Sequence, residues 1–496
     1  MNHFEMRQVS LRKIPYIFYF HLLLMMGIVF SLFGSSASIY PLCAYLLILY
    51  SVFFLSSPHF ALLSLGIFML FAPTLLNMSI MRVIPLGSLY SLISSVDELL
   101  IAWSATLSIG TRIIKREQIY RTPIDLPILG LIGAGLVSSL LHHVPMKIMT
   151  FGTVLMLKGF VVFYLFSQLD HTERHLQRYL RVIFVLAIVL YVFAIIELLF
   201  PSQFYASIRR DIWLRYRAGL PVVQSLLSNY ALFGWFTSFI GLFAVAFYYF
   251  SKNKKYLWIA GAFLLATIFS MSRKSIVGML LAVILSFLFL PQEIKKKTVF
   301  SLAGVMGLLG LFLGANIIIA INTLLQESIF TPFPTTSARL VLYVVGLKIA
   351  LVHFPFGVGL GRYGGWISVL YYSPVYREYG LNMIYGLGDV WKQGQWTFIA
   401  DTFWPHIMGE TGFLGLACYV LIIFRLFSLC RSGISEIYSL YPRVFILAAM
   451  LILIEALSES TAMIVFENPP LYYFIFASLG IATSLYRKYH HLQLEM

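Results

Sequence analysis

Long apolar runs alternate with short polar connections along the whole chain. A helix of about 20 apolar residues crosses the hydrocarbon core of a bilayer, and many of these runs approach or exceed that length. The pattern places spans at 14–33, 39–56, 58–76, 97–111, 124–141, 149–167, 180–200, 222–250, 257–271, 275–290, 299–320, 405–429, 444–462 and 470–486. Because neighbouring short runs can merge, the sequence predicts an all-α, polytopic bundle of 12 to 14 transmembrane helices.

Composition supports a membrane protein and argues against a nucleic-acid-binding one. Hydrophobic residues make up 60% of the chain and charged residues 11%, whereas a soluble chain carries about 25% charged residues. The net charge of +15 is divided among connections between spans and forms no continuous basic patch, so we expect no nucleic acid as a partner. The first apolar run is too long for a signal peptide and is predicted to be a retained helix.

Basic residues gather in alternate connections, which indicates the orientation of the chain. Lysines and arginines concentrate in cytoplasmic loops, and this pattern predicts cytoplasmic N- and C-termini. Arginines that break the pattern fall on the opposite face, beside the longest hydrophilic connection: Arg209, Arg210, Arg215, Arg217, Arg273 and Arg339. An anionic substrate at that external face is the simplest reason to keep them there.

The distribution of these residues predicts three regions. Residues 1–200 form an N-terminal transmembrane scaffold, 201–430 form a catalytic half with an external loop at 321–404 containing short helices, and 431–496 form C-terminal transmembrane helices.

Two short external segments contain arginines. In PSQFYASIRRDIWLRYRAGLP, Arg209 and Arg210 suit lipid headgroups as well as they suit a substrate, whereas Arg217 opens the next span and is expected to point inward. In SMSRKS, Arg273 exceeds what a tight turn needs, and Lys274 is expected to snorkel to the headgroups.

The long external loop contains one predicted helix and one glycine-rich turn. Residues 337–353 have helical apolar spacing with Arg339 near the start and Thr336 or Ser337 as N-cap. The loop ends in FIADTFWPHIMGETGFLGLACYV, which leads into a span and holds Asp401, His406 and Glu410 near the external interface. Ionisable side chains are costly at that depth, so these three are candidate functional residues.

Three motifs together resemble the bacterial O-antigen ligase and O-antigen polymerase (Wzy-type) superfamily of integral membrane glycosyltransferases. They are SMSRKS, SARLVLYVVGLKIALVHFPFGVGLGRYGG and ADTFWPHIMGETGFLGLACYV, and the resemblance covers about 205–430. It implies a GT-C-like fold, location in the bacterial inner membrane and transfer on the periplasmic face. It also implies an undecaprenyl-diphosphate-linked glycan as donor, a glycan acceptor and a chain-length regulator as a partner to consider. Arg217, Arg273 and Arg339 match arginines that engage the diphosphate in the family.

The chain departs from the family at the proposed catalytic base. The ligase pattern has a His-Asn pair nine residues before Glu-x-Gly, but here that position is Asp401, followed by Thr402, and His406 lies five residues later. Asp401 or His406 would therefore take the proton of the attacking hydroxyl. The acidic residue favours a polymerase over a ligase.

The chemistry requires no metal or other cofactor. Arginines would stabilise the leaving diphosphate, because the guanidinium stays charged and forks onto phosphate oxygens. No Asp-x-Asp or clustered Asp, Glu and His suggests a Mg²⁺ site on the external side. A flippase for the same lipid-linked sugar remains the alternative from another class, although it should carry charges midway through several helices.

Overall fold

The computed structural model describes residues 39–80, 89–207, 214–217, 219–289, 338–389 and 397–494. The α-helices are α1 Ile39–Ser56, α2 Pro58–Ile80, α3 Leu89–Lys115, α4 Asp125–Leu141, α5 Met146–Ser167, α6 Glu173–Leu199, α7 Pro201–Ser207, α8 Tyr230–Ser251, α9 Lys254–Phe269, α10 Arg273–Phe289, α11 Ala338–Val352, α12 Trp366–Leu370, α13 Val375–Glu378, α14 Phe403–Glu436, α15 Leu440–Glu459 and α16 Leu471–Leu494. A 3₁₀ turn covers Leu381–Met383, and two-residue strands β1 (Tyr216–Arg217) and β2 (Leu220–Pro221) pair antiparallel. The predicted all-α, polytopic fold is confirmed.

Most of the predicted spans coincide with described helices. By length and composition, six of the described helices could cross a membrane: Pro58–Met78, Met146–Ser167, Glu173–Leu199, Tyr230–Ser251, Phe403–Glu436 and Leu440–Glu459. The runs at 14–33 and 299–320 lie outside the described residues, so the total of 12 to 14 stays a prediction. The short helices predicted for the external loop are present in its described part, as α11, α12 and α13.

The run predicted as a span from residue 222 begins its helix later, at Tyr230. The reason is a buried carboxylate at the end of α6. Glu197 accepts hydrogen bonds from the backbone amides of Gln224 and Ser225, the latter at 2.6 Å, and from the Tyr205 hydroxyl at 2.5 Å. These amides cannot join a helical ladder while they donate to Glu197, so the segment before Tyr230 stays outside the helix, with Ser225 at φ 56°.

The described chain forms two compact units. The smaller comprises residues up to Ile119 with Leu226–Asn229. Helices α1, α2 and α3 pack together in it, and the Tyr50 hydroxyl bonds the Ser104 hydroxyl at 2.6 Å. The larger comprises Tyr120–Ser225 and Tyr230–Met496 and contains every candidate site residue. The three-region division at 200 and 430 stays a prediction.

Helix α15 is the centre of the larger unit. It packs against α6, α8, α10, α14 and α16, and every residue from Val444 to Ala456 is buried. A helix that is apolar on all sides belongs inside a bundle. Helix α6, by contrast, exposes Val185, Ile188 and Val192, as expected of a helix that faces lipid.

Helix α14 is broken at Gly412, and the break positions the candidate site. Gly412 has φ 69° and ψ −165°, a conformation that favours glycine. Just beyond it, the Leu414 amide donates to the Pro355 carbonyl at 3.2 Å. The first segment of α14, residues 403–411, therefore stands apart from the long membrane segment and carries both His406 and Glu410.

Candidate active site

Arg339 and Asp401 form an ion pair at the accessible end of the larger unit. The Arg339 Nη2 atom lies 2.7 Å from Asp401 Oδ2, and the two side chains are 46% and 29% exposed. Arg339 is the second residue of α11, and Asp401 lies two residues before α14. Both groups are therefore within reach of a molecule that approaches from outside the bundle.

His406 is buried between two glutamates. Its Nε2 atom lies 3.1 Å from Glu467 Oε1, and its Nδ1 atom lies 3.5 Å from Glu410 Oε1 and 2.6 Å from the Tyr363 carbonyl oxygen. The three ionisable side chains are each no more than 6% exposed. We call Glu410, His406 and Glu467 the buried triad.

The hydrogen bonds of His406 leave it no free lone pair. A carbonyl oxygen only accepts, so Nδ1 must donate to Tyr363. Nε2 then either donates to a Glu467 carboxylate or accepts from a protonated Glu467 carboxyl group. In both states each ring nitrogen is occupied, and the ring cannot take a proton from a substrate without first breaking a buried contact.

A glycine-rich loop wraps the start of α14. A Cβ atom on Gly365 would lie 2.7 Å from His406 Cε1, and one on Gly364 would lie 3.0 Å from His406 Cα. Gly359, Gly361 and Gly364 all have positive φ values. The tight turn expected from GLGRYG is therefore present, and its glycines allow the loop to approach the helix closely.

Tyrosine hydroxyls hold this loop in place. The Tyr363 hydroxyl donates to the Leu342 carbonyl at 2.7 Å, and the Gly364 amide donates to the Tyr376 hydroxyl at 2.8 Å. Burial raises the pKa of Tyr363 and Tyr376 well above the ordinary value of a phenol. Both hydroxyls therefore keep their protons. In the loop that they hold, the Tyr363 backbone amide donates to Glu410 Oε1 at 3.0 Å.

Arg217 points toward the bundle, in the direction the sequence predicts. Its guanidinium donates to the Met271 carbonyl and to the Tyr230 hydroxyl, both at 3.0 Å. Arg273 is the exposed first residue of α10, two positions after Met271. These contacts bring Arg217 to the turn that carries Arg273.

The connection between α15 and α16 links this turn to the Arg339–Asp401 pair. The Lys274 ammonium lies 2.9 Å from the Met463 sulfur, and the Tyr343 hydroxyl donates to the Thr461 carbonyl at 3.0 Å. Tyr343 lies one helical turn after Arg339 on α11. The turn that carries Arg273 and the helix that carries Arg339 therefore both contact this connection, and Arg217 contacts that turn.

The same connection contributes the member of the site that the sequence reasoning missed. Glu467 lies in VFENPP, between the predicted spans at 444–462 and 470–486, and was not named as a candidate residue. A carboxylate between two predicted spans is the signal in the sequence that could have identified Glu467. Arg209 and Arg210, and the proposed caps Thr336 and Ser337, lie outside the described residues. In the described part of the chain no group of three or more His, Cys, Asp or Glu is arranged to hold a metal ion.

Comparison with known families gives a match over part of the chain. The family model for O-antigen ligase matches residues 258–420. Over these residues the chain is similar to O-antigen ligases. The resemblance to the ligase and polymerase superfamily is thereby confirmed, and the chain is a multi-pass membrane protein of O-antigen ligase type. The matched segment holds Arg273, Arg339, Asp401, His406 and Glu410, whereas Arg217 and Glu467 lie outside it. No curated protein matches the chain significantly.

Proposed function

We propose that this protein is a membrane glycosyltransferase that polymerises undecaprenyl-diphosphate-linked repeat units of a surface polysaccharide on the periplasmic face of the bacterial inner membrane. The observation that supports the proposal is the exposed Arg339–Asp401 pair in a segment that matches the ligase family, together with the contact of Arg217 with the turn before Arg273. Cations for a leaving diphosphate and a carboxylate for the attacking hydroxyl are what the reaction needs.

The arginines stabilise the leaving group. The acceptor hydroxyl oxygen attacks the anomeric carbon of the donor, and the bond from that carbon to the diphosphate oxygen breaks. The electron pair leaves with undecaprenyl diphosphate, whose charge Arg217, Arg273 and Arg339 neutralise. Charge-assisted hydrogen bonds contribute about 1.5–3 kcal/mol each, so contacts that shorten as the diphosphate leaves lower the barrier substantially.

Asp401 accepts the proton of the attacking hydroxyl. Its partner Arg339 is half exposed and turns toward the diphosphate when the donor binds. That movement frees the Asp401 carboxylate next to the reacting atoms, so base and leaving-group contact are assembled by the same event. His406 is assigned a positioning role, since both ring nitrogens are occupied inside the buried triad.

The buried triad fixes the first segment of α14, and with it the position of Asp401. Glu410 ties this segment to the glycine-rich loop through the Tyr363 amide, and Glu467 ties it to the connection between α15 and α16. An active site that must hold a base within hydrogen-bonding reach of a hydroxyl benefits from such rigid support.

The proposal is tested with purified protein and a synthetic undecaprenyl diphosphate repeat unit in the presence of a chelator. A ladder of longer products supports a polymerase. Product that forms only after lipid A core is added identifies a ligase, and movement between leaflets without new bonds identifies a flippase; either result overturns the polymerase assignment.

A further inference from the structure

Two glutamates on the central helix α15 lie inside the bundle and have no role in the proposed transfer reaction. Glu455 and Glu459 are one helical turn apart, and both are 0% exposed. Neither oxygen of Glu455 has a hydrogen-bond partner among the described residues, and Glu459 Oε2 also has none. Carboxylates in a membrane-spanning helix are costly, and unpaired ones indicate a function.

The charge of Glu459 is compensated by its neighbours on α10. The Ser275 hydroxyl donates to Glu459 Oε1 at 2.5 Å, and Lys274 acts on the same carboxylate as a nearby positive charge. Both residues lie in the first turn of α10, whose N-terminus favours an anion. Lys274 and Ser275 therefore offset part of the cost of a buried negative charge on Glu459.

Glu455 has no comparable compensation. The charged group that acts on it is Glu459, a second anion, and the facing helix offers Gly278 instead of a polar side chain. A Cβ atom on Gly278 would lie 3.0 Å from Glu455 Cγ, so the glycine makes room for the carboxyl group. With Lys274 assigned to Glu459, one negative charge in this cluster is left without a counterion.

A buried serine hydroxyl on another helix also lies near the Glu455 carboxyl group. Ser238, on α8, is 0% exposed and is directed at the Glu455 carboxyl group without completing a hydrogen bond to it. Buried oxygen atoms without hydrogen-bond partners in the described part of the chain thus come from two helices, α8 and α15, in a cluster with one excess negative charge. Hard monovalent cations and protons are the ligands that such oxygens bind.

We propose that Glu455, Glu459 and Ser238 form a buried binding site for one monovalent cation, which is either a proton shared by the two carboxyl groups or a sodium ion. One such charge makes the cluster with Lys274 neutral. The other helices packed on α15 contribute no charged group to the pair among the described residues.

The bound cation connects two parts of the candidate active site. Ser275 lies two residues after Arg273 on α10, and Ser460, next to Glu459, accepts a hydrogen bond from the Phe403 amide at 3.1 Å. Glu455 and Glu459 lie on the same helix, so their repulsion when both are ionised would displace the Glu459 carboxylate from its contact with Ser275. Occupancy of the site therefore preserves this contact between α15 and the start of α10. The site itself does not depend on the glycosyltransferase assignment.

The test uses the full chain in detergent and needs no substrate. The thermal unfolding midpoint is measured while sodium replaces choline at constant ionic strength, and infrared spectra are recorded for the C=O stretch of a neutral carboxylic acid. For sodium we expect the midpoint to rise with the logarithm of its concentration, with one ion bound per chain. For a shared proton we expect no sodium dependence and a neutral-acid band.

Variants assign either signal to the site. Glu455→Gln should abolish the sodium response or the neutral-acid band, whereas Glu117→Gln, a substitution of an exposed glutamate, should leave both unchanged. If Glu455→Gln folds poorly, Ser238→Ala should weaken sodium binding or shift the band. A wild-type protein with neither signal, a signal unaffected by these site variants, or stabilisation by calcium in place of sodium overturns the proposal.

Discussion

Asp401 and His406 can be separated as candidate bases by comparing stability with activity in two variants. Asp401→Asn removes an exposed carboxylate, whereas His406→Gln removes the cation, or hydrogen-bond partner, between two buried glutamates. The two substitutions act on neighbouring positions of the same segment. Their expected effects nevertheless differ in kind, because the surroundings of the two side chains differ.

The structure gives the magnitudes. Asp401 and Arg339 are 29% and 46% exposed, so loss of this pair should lower the free energy of unfolding by no more than about 1 kcal/mol. His406 contacts Glu467 at 3.1 Å and Glu410 at 3.5 Å with all three side chains buried. Breaking such a buried arrangement costs about 3–5 kcal/mol, a large share of a total stability of about 5–15 kcal/mol.

The assay measures product formation per folded molecule beside denaturant unfolding in detergent. Asp401→Asn should reduce kcat by about 10²–10⁴-fold, the usual contribution of a general base, with nearly wild-type stability. His406→Gln should be strongly destabilised but should retain activity in the fraction that stays folded. A stable, inactive His406→Gln protein together with an active Asp401→Asn protein would refute the reasoning and make His406 the base.

Three further outcomes follow from the structure. Gly365→Ala should destabilise the protein by about 1–3 kcal/mol by crowding the His406 ring. Gly133→Ala, in the interior of α4 with open space around it, should be neutral or slightly stabilising by the same denaturant titration, because alanine favours a helix over glycine. Product formation should be the same with and without a chelator, which a parallel rate measurement checks. Burial lowers the pKa of His171 to about 4. This shift corresponds to a contribution of about 3 kcal/mol to the free energy of unfolding. The contribution is present above pH 6.5, and it is lost as the pH falls toward 4. Unfolding curves of the wild type and His171→Gln should therefore converge over that interval.

Hydropathy predicts most of the described helices. It does not predict segments whose backbone conformation is fixed by hydrogen bonds to side chains. The run at 222–250 is predominantly apolar, yet its first residues are not helical because the buried Glu197 accepts hydrogen bonds from two of their backbone amides. A hydropathy pattern averages over a window and contains no information about which distant carboxylate will reach those amides. The same averaging hid Glu455 and Glu459 inside the run at 444–462.

The candidate site was partly predictable. Arg339 and Asp401 were both named from the sequence, and the structure places them in one ion pair. Glu467 was not named, because its partner His406 lies on another helix and the contact depends on how the connection between α15 and α16 folds back. Spacing along the chain identifies residues on one helical face but not contacts between elements far apart in sequence.

The central claim is that Arg217, Arg273 and Arg339 bind a lipid diphosphate, and the most direct test is the equilibrium affinity of the purified protein for undecaprenyl diphosphate. Arg273→Ala and Arg339→Ala should each weaken binding by about 10–100-fold, since each removes charge-assisted hydrogen bonds of about 1.5–3 kcal/mol. Arg178→Ala, a substitution of an exposed arginine on α6, is the matched control and should bind like the wild type. Equal affinity of the wild type, Arg273→Ala and Arg339→Ala would contradict the account.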